Sequence, residues 1–164
     1  MQRDSRMWSV GRTVAMAVMT LLGVAVLVVN IHEVVQADSR ISGLRAHGRQ
    51  VAGGATVDYA CSSGRGASCS ASDVWLSFRD AGGHDEYVPE DELAQALYVP
   101  SGRAGDDGLV RTTVVYDPAD PQDAQAAGAL HWGVADFVAH RWFPFALGVV
   151  LAGVGAAALV IDRI

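Results

Sequence analysis

Two long apolar stretches stand near the ends of the chain, and a more polar region lies between them. No charged residue occurs between Thr13 and Ile31 or between Trp142 and Ile161. Each stretch approaches the roughly 20 residues that a helix needs to cross about 30 Å of hydrocarbon. The pattern therefore predicts two transmembrane helices, over residues 13–35 and 142–161.

Between these helices, apolar and polar residues alternate with a period of two, which is typical of half-buried β-strands. The stretch Asp80-Ala81-Gly82-Gly83 supplies the glycines that a tight hairpin needs, and residues 84–88 can return as its second strand. We expect a small, mainly antiparallel β domain flanked by the two helices. The same-face positions are Val57, Tyr59 and Cys61 in one strand, Val74, Leu76 and Phe78 in the next, and Val110, Val114 and Tyr116 in the last.

Two shorter segments carry helical signals. Residues 90–97 place acidic residues first and two leucines four apart, which predicts a short amphipathic helix, with a loop as the alternative. In VVYDPADPQDAQ, residues 114–125, Asp117 precedes Pro118 and favours a turn. Asp120 precedes Pro121 and fits a helix N-cap, so a helix is expected to begin there.

The aspartates of that stretch have an alternative interpretation as a metal site. Asp117, Asp120 and Asp123 could offer the oxygen ligands that calcium or magnesium prefers. A calcium loop, however, places ligands at alternate residues around a glycine, whereas this stretch has two prolines and no such glycine. We therefore favour a structural role and expect no metal or other cofactor.

Charge separates the middle of the chain from its ends. Residues 36–141 hold 15 of the 18 acidic residues and 8 of the 12 arginines. This acidic balance, with no basic stripe, argues against nucleic acid as a partner. It also predicts that anionic lipid surfaces repel this region.

The first apolar stretch could instead be a secretory signal, because Arg3, Arg6 and Arg12 precede it and Val35-Gln36-Ala37 resembles a cleavage site. Its apolar core exceeds the usual signal length of about 7 to 15 residues, so we expect an uncleaved anchor. Long loops cross the membrane largely regardless of their charge. The predicted layout in the cell membrane is a cytoplasmic N-terminus over 1–12, a helix over 13–35, an extracytoplasmic β domain over 36–141, a helix over 142–161 and a cytoplasmic tail over 162–164.

The two cysteines, Cys61 and Cys69, lie close together in the predicted extracytoplasmic region. Such a pair fits a disulfide in an oxidising compartment. Two reduced thiols are the alternative, and zinc is less suitable because it requires four ligands. We expect a disulfide.

The strand that ends in Tyr116-Asp117-Pro118-Ala119-Asp120-Pro121, between two membrane helices, resembles an actinobacterial family of two-span membrane proteins. That family has an exported domain of unknown function with a V-x-Y-D-P-x-D-P signature. The cysteine pair and the hairpin around FRDAGG add to the likeness. The resemblance implies an exported β module, and it implies no catalytic residues.

Two functional hypotheses follow. The first is a non-enzymatic interaction or accessory module of the cell envelope, whose partners are the lipid bilayer and another membrane or envelope protein. The small-residue face of Gly148, Ala152 and Ala156 permits close packing against another helix, for which the first helix of the same chain and a second copy are equally good candidates. The second hypothesis is an envelope enzyme, hydrolase-like or metal-dependent, that uses carboxylates near Asp117 and His84. No nucleophile motif such as GxSxG supports the enzyme.

Overall fold

A computed structural model describes residues 2–64 and 66–161, with side chains from residue 11 onward. The chain forms two compact units. We call them the helical unit, which takes the chain up to Val34 and from Val138 onward, and the sheet unit, Val35–Phe137. The predicted tail at 162–164 and the first residue of the predicted 1–12 segment lie outside the described residues.

Three α-helices occur in the described chain: α1 (Gln2–His47), α2 (Val134–His140) and α3 (Trp142–Ile161). The part of α1 from Gly11 onward and the whole of α3 are long and apolar enough to cross a membrane, by length and composition. The two predicted apolar helices are therefore present. Helix α1 continues beyond the predicted end at residue 35, so the sheet unit begins with helix.

Within the helical unit, α1 and α3 approach closely at glycines. A Cβ at Gly23 would lie 2.8 Å from the carbonyl oxygen of Gly148 and would also meet the backbone nitrogen of Ala152. The predicted small-residue face thus packs against α1 of the same chain. The buried residues of α3 are Gly148 and Gly155, whereas Ala156 of the predicted face is exposed, because the contacting stripe of a helix advances by three as well as four residues.

The helical unit also contains buried polar groups. The Nη1 of Arg141 donates to Oε2 of Glu33, and Nδ2 of Asn30 donates to the Val26 carbonyl at 2.7 Å. Burial leaves 7% of Arg141 and 3% of Asn30 exposed. This ion pair neutralises the arginine as α3 begins.

Five strands form one antiparallel sheet in the sheet unit, in the order β3-β2-β1-β4-β5. The predicted layout, an antiparallel β unit between two apolar helices, is therefore confirmed. Residues 129–131 add a short 3-10 turn after the last strand. The strands are β1 (Arg49–Cys61), β2 (Cys69–Arg79), β3 (Asp85–Pro89), β4 (Val110–Asp117) and β5 (Asp120–Ala126).

The hydrophobic core lies on the face that the alternation predicted for β2 and β4. Antiparallel partners share a face, so the inward residues of neighbouring strands meet in one layer. The rings of Phe78 and Tyr116 pack with centroids 5.1 Å apart, and the Tyr116 hydroxyl accepts from the Ala81 amide at 2.8 Å. The buried cluster is Ala55, Val74, Leu76, Phe78, Val88, Val114, Tyr116, Ala124 and Ala126.

The predicted hairpin between β2 and β3 is present. The Asp80 amide donates to the His84 carbonyl at 2.9 Å, and Oδ1 of Asp80 accepts from the His84 amide at 2.8 Å. Gly83 has a φ of 85°, which only glycine adopts readily. The predicted turn is therefore present, and Gly83 supplies its positive φ.

The helix expected to begin at Asp120 is wrong, because this segment is strand β5. Asp117 pairs with Asp120, so the chain reverses over two residues and returns beside β4. Oδ1 of Asp117 accepts from the Ala119 amide at 2.9 Å, which stabilises the turn. Residues 120–126 contain no β-branched or aromatic residue, so local propensity gave no strand signal, and pairing with β4 decides the conformation.

The helix expected over residues 90–97 is also wrong. Leu93 and Ala96 exchange backbone hydrogen bonds of 2.9 and 3.0 Å, while Ala94 and Gln95 have φ values of 51° and 62°. Two consecutive positive φ angles are incompatible with a right-handed helix and typical of a tight reversal. This turn buries Leu93 and packs Leu97 against the core. The spacing of the two leucines therefore reflects the turn and not a helix.

A disulfide joins Cys61 to Cys69, and the expected pairing is confirmed. These residues face each other at the ends of β1 and β2, with Cα atoms 4.0 Å apart. The bond therefore closes the loop of the hairpin that the two strands form.

Candidate functional site

A cavity of about 360 Å³ lies in the sheet unit between the end of α1 and the β4-β5 hairpin. Its wall is part helix, part hairpin, and contains both acidic and basic side chains. We call it the hairpin cavity. Its lining residues are Arg40, Gly43, Leu44, His47, Gly48, Asp117 and Asp123.

The spacing of residues along α1 explains which of them form one wall of the cavity. Arg40, Gly43, Leu44 and His47 stand at intervals of three and four residues, so they share one face of α1. Leu44 is buried and anchors this face. A Cβ at Gly43 would meet no atom within 4 Å, so the absence of a side chain there leaves open space beside the hairpin.

The hairpin wall contributes two carboxylates. Both the Nε and the Nη2 of Arg40 contact Oδ1 of Asp123, at 2.7 and 2.5 Å, and its Nη1 contacts Oδ2 of Asp91 at 2.8 Å. Oδ1 of Asp117 is used by the turn. Asp117 and Asp123 both belong to the cavity wall.

The balance of charge in the cavity wall is negative. One arginine faces two carboxylates, and this arginine also pairs with a third, Asp91, just outside. His47 adds an exposed imidazole that can accept a hydrogen bond when neutral. The cavity wall therefore carries a small excess of negative charge.

The three aspartates of the sequence motif separate into different roles. Asp117 and Asp123 line one cavity, whereas Oδ1 of Asp120 accepts from the Gln122 amide at 3.2 Å outside it. Across residues 11–64 and 66–161, no group of three histidine, cysteine or carboxylate side chains is arranged to hold a metal ion. The spacing of three residues did not bring all three carboxylates together.

The pair proposed for an enzyme, His84 and Asp117, is not joined in the structure. Nδ1 of His84 lies 3.1 Å from Oδ2 of Asp80, and hydrogen bonds from the His84 backbone and ring lower the pKa of Asp80. Oε2 of Glu86 accepts from Nε2 of Gln122 at 3.0 Å. Within the described residues His84 therefore belongs to the β2-β3 turn.

A second polar cluster, formed by Glu90 and Gln125, was missed by sequence reasoning. Glu90 is 4% exposed and Gln125 is fully buried. Oε1 of Glu90 accepts from the Ala126 amide at 3.0 Å, and Nε2 of Gln125 donates to the Asp91 carbonyl at 3.0 Å. Burial raises the pKa of Glu90 to about 7, against the favourable effects of the Ala126 amide and of Arg40.

The Glu90 cluster holds the segment after β3 along the free edge of β5. Glu90 donates its own amide to the Val74 carbonyl of β2 at 2.8 Å while its carboxyl binds β5. One residue thus ties two strands that are not neighbours in the sheet. The sequence signal was weak because Glu90 stands in an acidic run, where exposure is the usual expectation.

These features define a chain with two long apolar helices and an antiparallel sheet unit that carries an acidic cavity. No protein-family model matches the chain, and no curated protein or solved structure matches it significantly.

The open space at Gly43 gives a direct stability prediction. Gly43→Ala should raise the free energy of unfolding by about 0.5 to 1 kcal/mol, because alanine favours the helix and meets nothing. Gly48→Ala is the matched control, since its Cβ would lie 2.5 Å from Cγ1 of Val115 and should destabilise the protein. Chemical denaturation of the purified full chain measures both. Equal effects of the two substitutions would show that no space exists at Gly43.

Proposed function

We propose that this chain is a membrane-anchored module of the cell envelope with a non-enzymatic interaction or accessory role. Residues 13–35 and 142–161 cross the bilayer, and residues 36–141 lie outside the cytoplasm. The proposal depends on one observation: only 11% of the most apolar 18-residue stretch of each long helix is buried within the protein. A core helix of a soluble protein would be mostly covered, whereas lipid can cover these side chains.

The exposed apolar residues occur on both helices and on more than one side of each. Leu21 and Leu22 in α1 are 69% and 56% exposed, and Val149 and Ile161 in α3 are 60% and 73% exposed. Water contact at so many large apolar residues would be costly, at about 25 cal/mol for each Å². A surrounding bilayer removes this cost.

The disulfide supports the extracytoplasmic side for the sheet unit, because such bonds persist in oxidising compartments and are rare in the cytosol. The acidic balance of residues 36–141 is compatible with export, since long loops translocate largely regardless of charge.

The segment VVYDPADP resembles the signature of the actinobacterial two-span family, and this resemblance also supports the proposal. In this chain the signature builds a hairpin: the Tyr116 hydroxyl binds the β2-β3 turn, and Asp117 stabilises the reversal at Pro118. These contacts support a folding role for the signature. The same hairpin presents a carboxylate of Asp117 to the cavity, which suits a binding module.

Topology is tested with trypsin on intact spheroplasts. Arg103 lies exposed in the segment between β3 and β4, so trypsin should cleave there without lysis, and the protein should stay in the membrane after alkaline carbonate extraction. Arg103→Gln should abolish that cut and serves as the control. Protection of the sheet unit until lysis would reverse the proposed orientation, and release by carbonate would contradict the anchoring.

A further inference from the structure

We propose that residues 90–97 form a pH-sensitive strap, which lies along the free edge of β5 while Glu90 is protonated and is released from that edge when Glu90 is charged. The five-stranded sheet stays folded in both states. This conformational switch goes beyond the proposed envelope role and does not depend on which side of the membrane the sheet unit occupies.

The contacts of the strap with the sheet are concentrated at its first two residues. Oε1 of Glu90 accepts from the Ala126 amide at 3.0 Å, and the Glu90 amide donates to the Val74 carbonyl at 2.8 Å. The Asp91 carbonyl accepts from Nε2 of Gln125 at 3.0 Å. The Glu90 carboxyl is therefore the group that attaches the start of the strap to the edge of β5.

The surroundings of the Glu90 carboxyl favour its neutral form. Only 4% of Glu90 is exposed, and Gln125 is fully buried. Oε2 of Glu90 and Oε1 of Gln125 are buried acceptors without a partner in the described chain. A protonated Glu90 brings a donor to this group of acceptors, whereas a charged Glu90 brings a buried charge and no donor. Burial accordingly raises the pKa of Glu90 to about 7.

The charged groups on the elements around Glu90 do not compensate a buried carboxylate. Arg40 of α1 attracts it, but this arginine is already paired with Asp91 and Asp123. The carboxylates closest in sequence to the contacts of Glu90 are Asp73 of β2, Glu86 of β3, Asp91 of the strap and Asp123 of β5. Loss of the Glu90 proton therefore adds to an excess of negative charge, and release of the strap moves that charge into water.

The turn inside the strap also opposes the closed state. Ala94 and Gln95 have φ values of 51° and 62°, a conformation that residues other than glycine adopt at a cost and keep only when their surroundings impose it. Here the burial of Leu93 and Ala94, which are 1% and 6% exposed, holds the turn in place. The closed strap thus balances apolar burial against backbone strain, and a charge on Glu90 shifts that balance toward release.

The test is amide hydrogen exchange, followed by NMR at pH 5 and pH 8 on the full chain in detergent micelles. The Ala126 amide reports the strap because it donates to Glu90, whereas the next amide, of Ala127, donates to the Thr113 carbonyl of β4 and reports the sheet. After correction for intrinsic exchange rates, the protection of Ala126 should fall about 10- to 100-fold from pH 5 to pH 8. The reason is that each pH unit between 4.5 and 7 favours the open strap, where Glu90 ionises normally, by about tenfold.

Two variants and one condition assign the effect to the strap. Glu90→Gln keeps an oxygen for the Ala126 amide but cannot become charged, so the protection of Ala126 should be equal at the two pH values. Glu92→Gln removes an exposed carboxylate of the same strap and should behave like the wild type. Low urea at pH 8 should speed exchange at Ala127 but not at Ala126, because local release exposes much less surface than unfolding of the sheet. Melting curves of each variant report folding.

The proposal is overturned if the protection of Ala126 in the wild type is the same at pH 5 and pH 8, or if it falls equally in Glu90→Gln. It is also overturned if urea speeds exchange at Ala126 and Ala127 alike, because the strap would then open only when the whole sheet unfolds. A fall at Ala126 that is independent of urea and absent in Glu90→Gln supports the switch.

Discussion

Replacing Glu90 by glutamine should stabilise the protein above pH 7 and flatten its stability between about pH 4.5 and 7. The pKa of Glu90 is about 7 in the folded chain against an ordinary value of 4.5. The folded state therefore keeps a proton that the unfolded state loses over this range, and stability falls as pH rises. The contribution is fully present below pH 4.5 and lost above pH 7, and it amounts to about 3 kcal/mol at most.

The geometry explains why an amide is suitable at this position. Oε1 of glutamine can accept from the Ala126 amide as Oε1 of Glu90 does. The second carboxylate oxygen, Oε2, and Oε1 of Gln125 are buried acceptors without a partner in the described chain. A glutamine replaces one of these acceptors by a donor and places no charge beside Gln125.

The measurement is a series of melting curves of the full chain from pH 5 to 8. Glu92→Gln is the matched control, because Glu92 is an exposed carboxylate in the same segment. The attraction of Arg40 for the Glu90 carboxylate lowers the pKa of Glu90 but does not outweigh the effect of burial. Parallel pH profiles for wild type and Glu90→Gln would show that Glu90 titrates normally in the folded protein.

Features encoded by nearby residues were predictable from the sequence. The two apolar stretches, the glycine turn between β2 and β3 and the Cys61 and Cys69 pair all depend on short-range patterns. The same holds for Val74, Leu76 and Phe78 of β2 and for Val114 and Tyr116 of β4, whose spacing of two residues predicted the buried face. Local chemistry and tertiary structure agree in these elements.

The errors occurred where tertiary pairing overrides local preference. Strand β5 has the sequence DPQDAQA, whose N-cap and proline signals favour a helix. It is a strand because its backbone pairs with the edge of β4 and because Ala124 and Ala126 are buried in the core. Residues 90–97 have helical leucine spacing, but Ala94 and Gln95 reverse the chain with positive φ. Intrinsic helix and strand propensities are weak compared with these tertiary interactions.

The hairpin cavity could not be predicted because its two walls are distant in sequence. Arg40 and Asp123 form an ion pair across 83 positions, and no local pattern connects them. Asp117 was correctly predicted as a turn residue, but its place in the cavity wall depends on helix α1 lying opposite. Gly43 gives no signal alone, since a helical glycine is meaningful only when its surroundings are known.

Gly148→Leu should disrupt the packing of α1 and α3 in the helical unit. A Cβ at Gly148 would lie 2.8 Å from Cγ of Leu27 and 3.2 Å from the Gly23 carbonyl oxygen, so a larger side chain forces the helices apart. Small residues allow such close contact between helices in membranes, where packing replaces the hydrophobic effect. We expect a loss of about 1 to 3 kcal/mol or more, the usual range for overpacking.

Gly153→Leu in the same helix is the matched control for Gly148→Leu, because a Cβ at Gly153 meets no atom within 4 Å and the residue is exposed. Heating the detergent-purified variants and measuring the monodisperse fraction by size exclusion gives their midpoints. Gly148→Leu should melt lower than Gly153→Leu, and adding Leu27→Ala to Gly148→Leu should restore part of the loss, since Leu27 is the first side chain that the new Cβ meets. If Gly148→Leu and Gly153→Leu melt alike, the glycine contact does not hold α1 and α3 together, and the small-residue face of α3 is free for another helix.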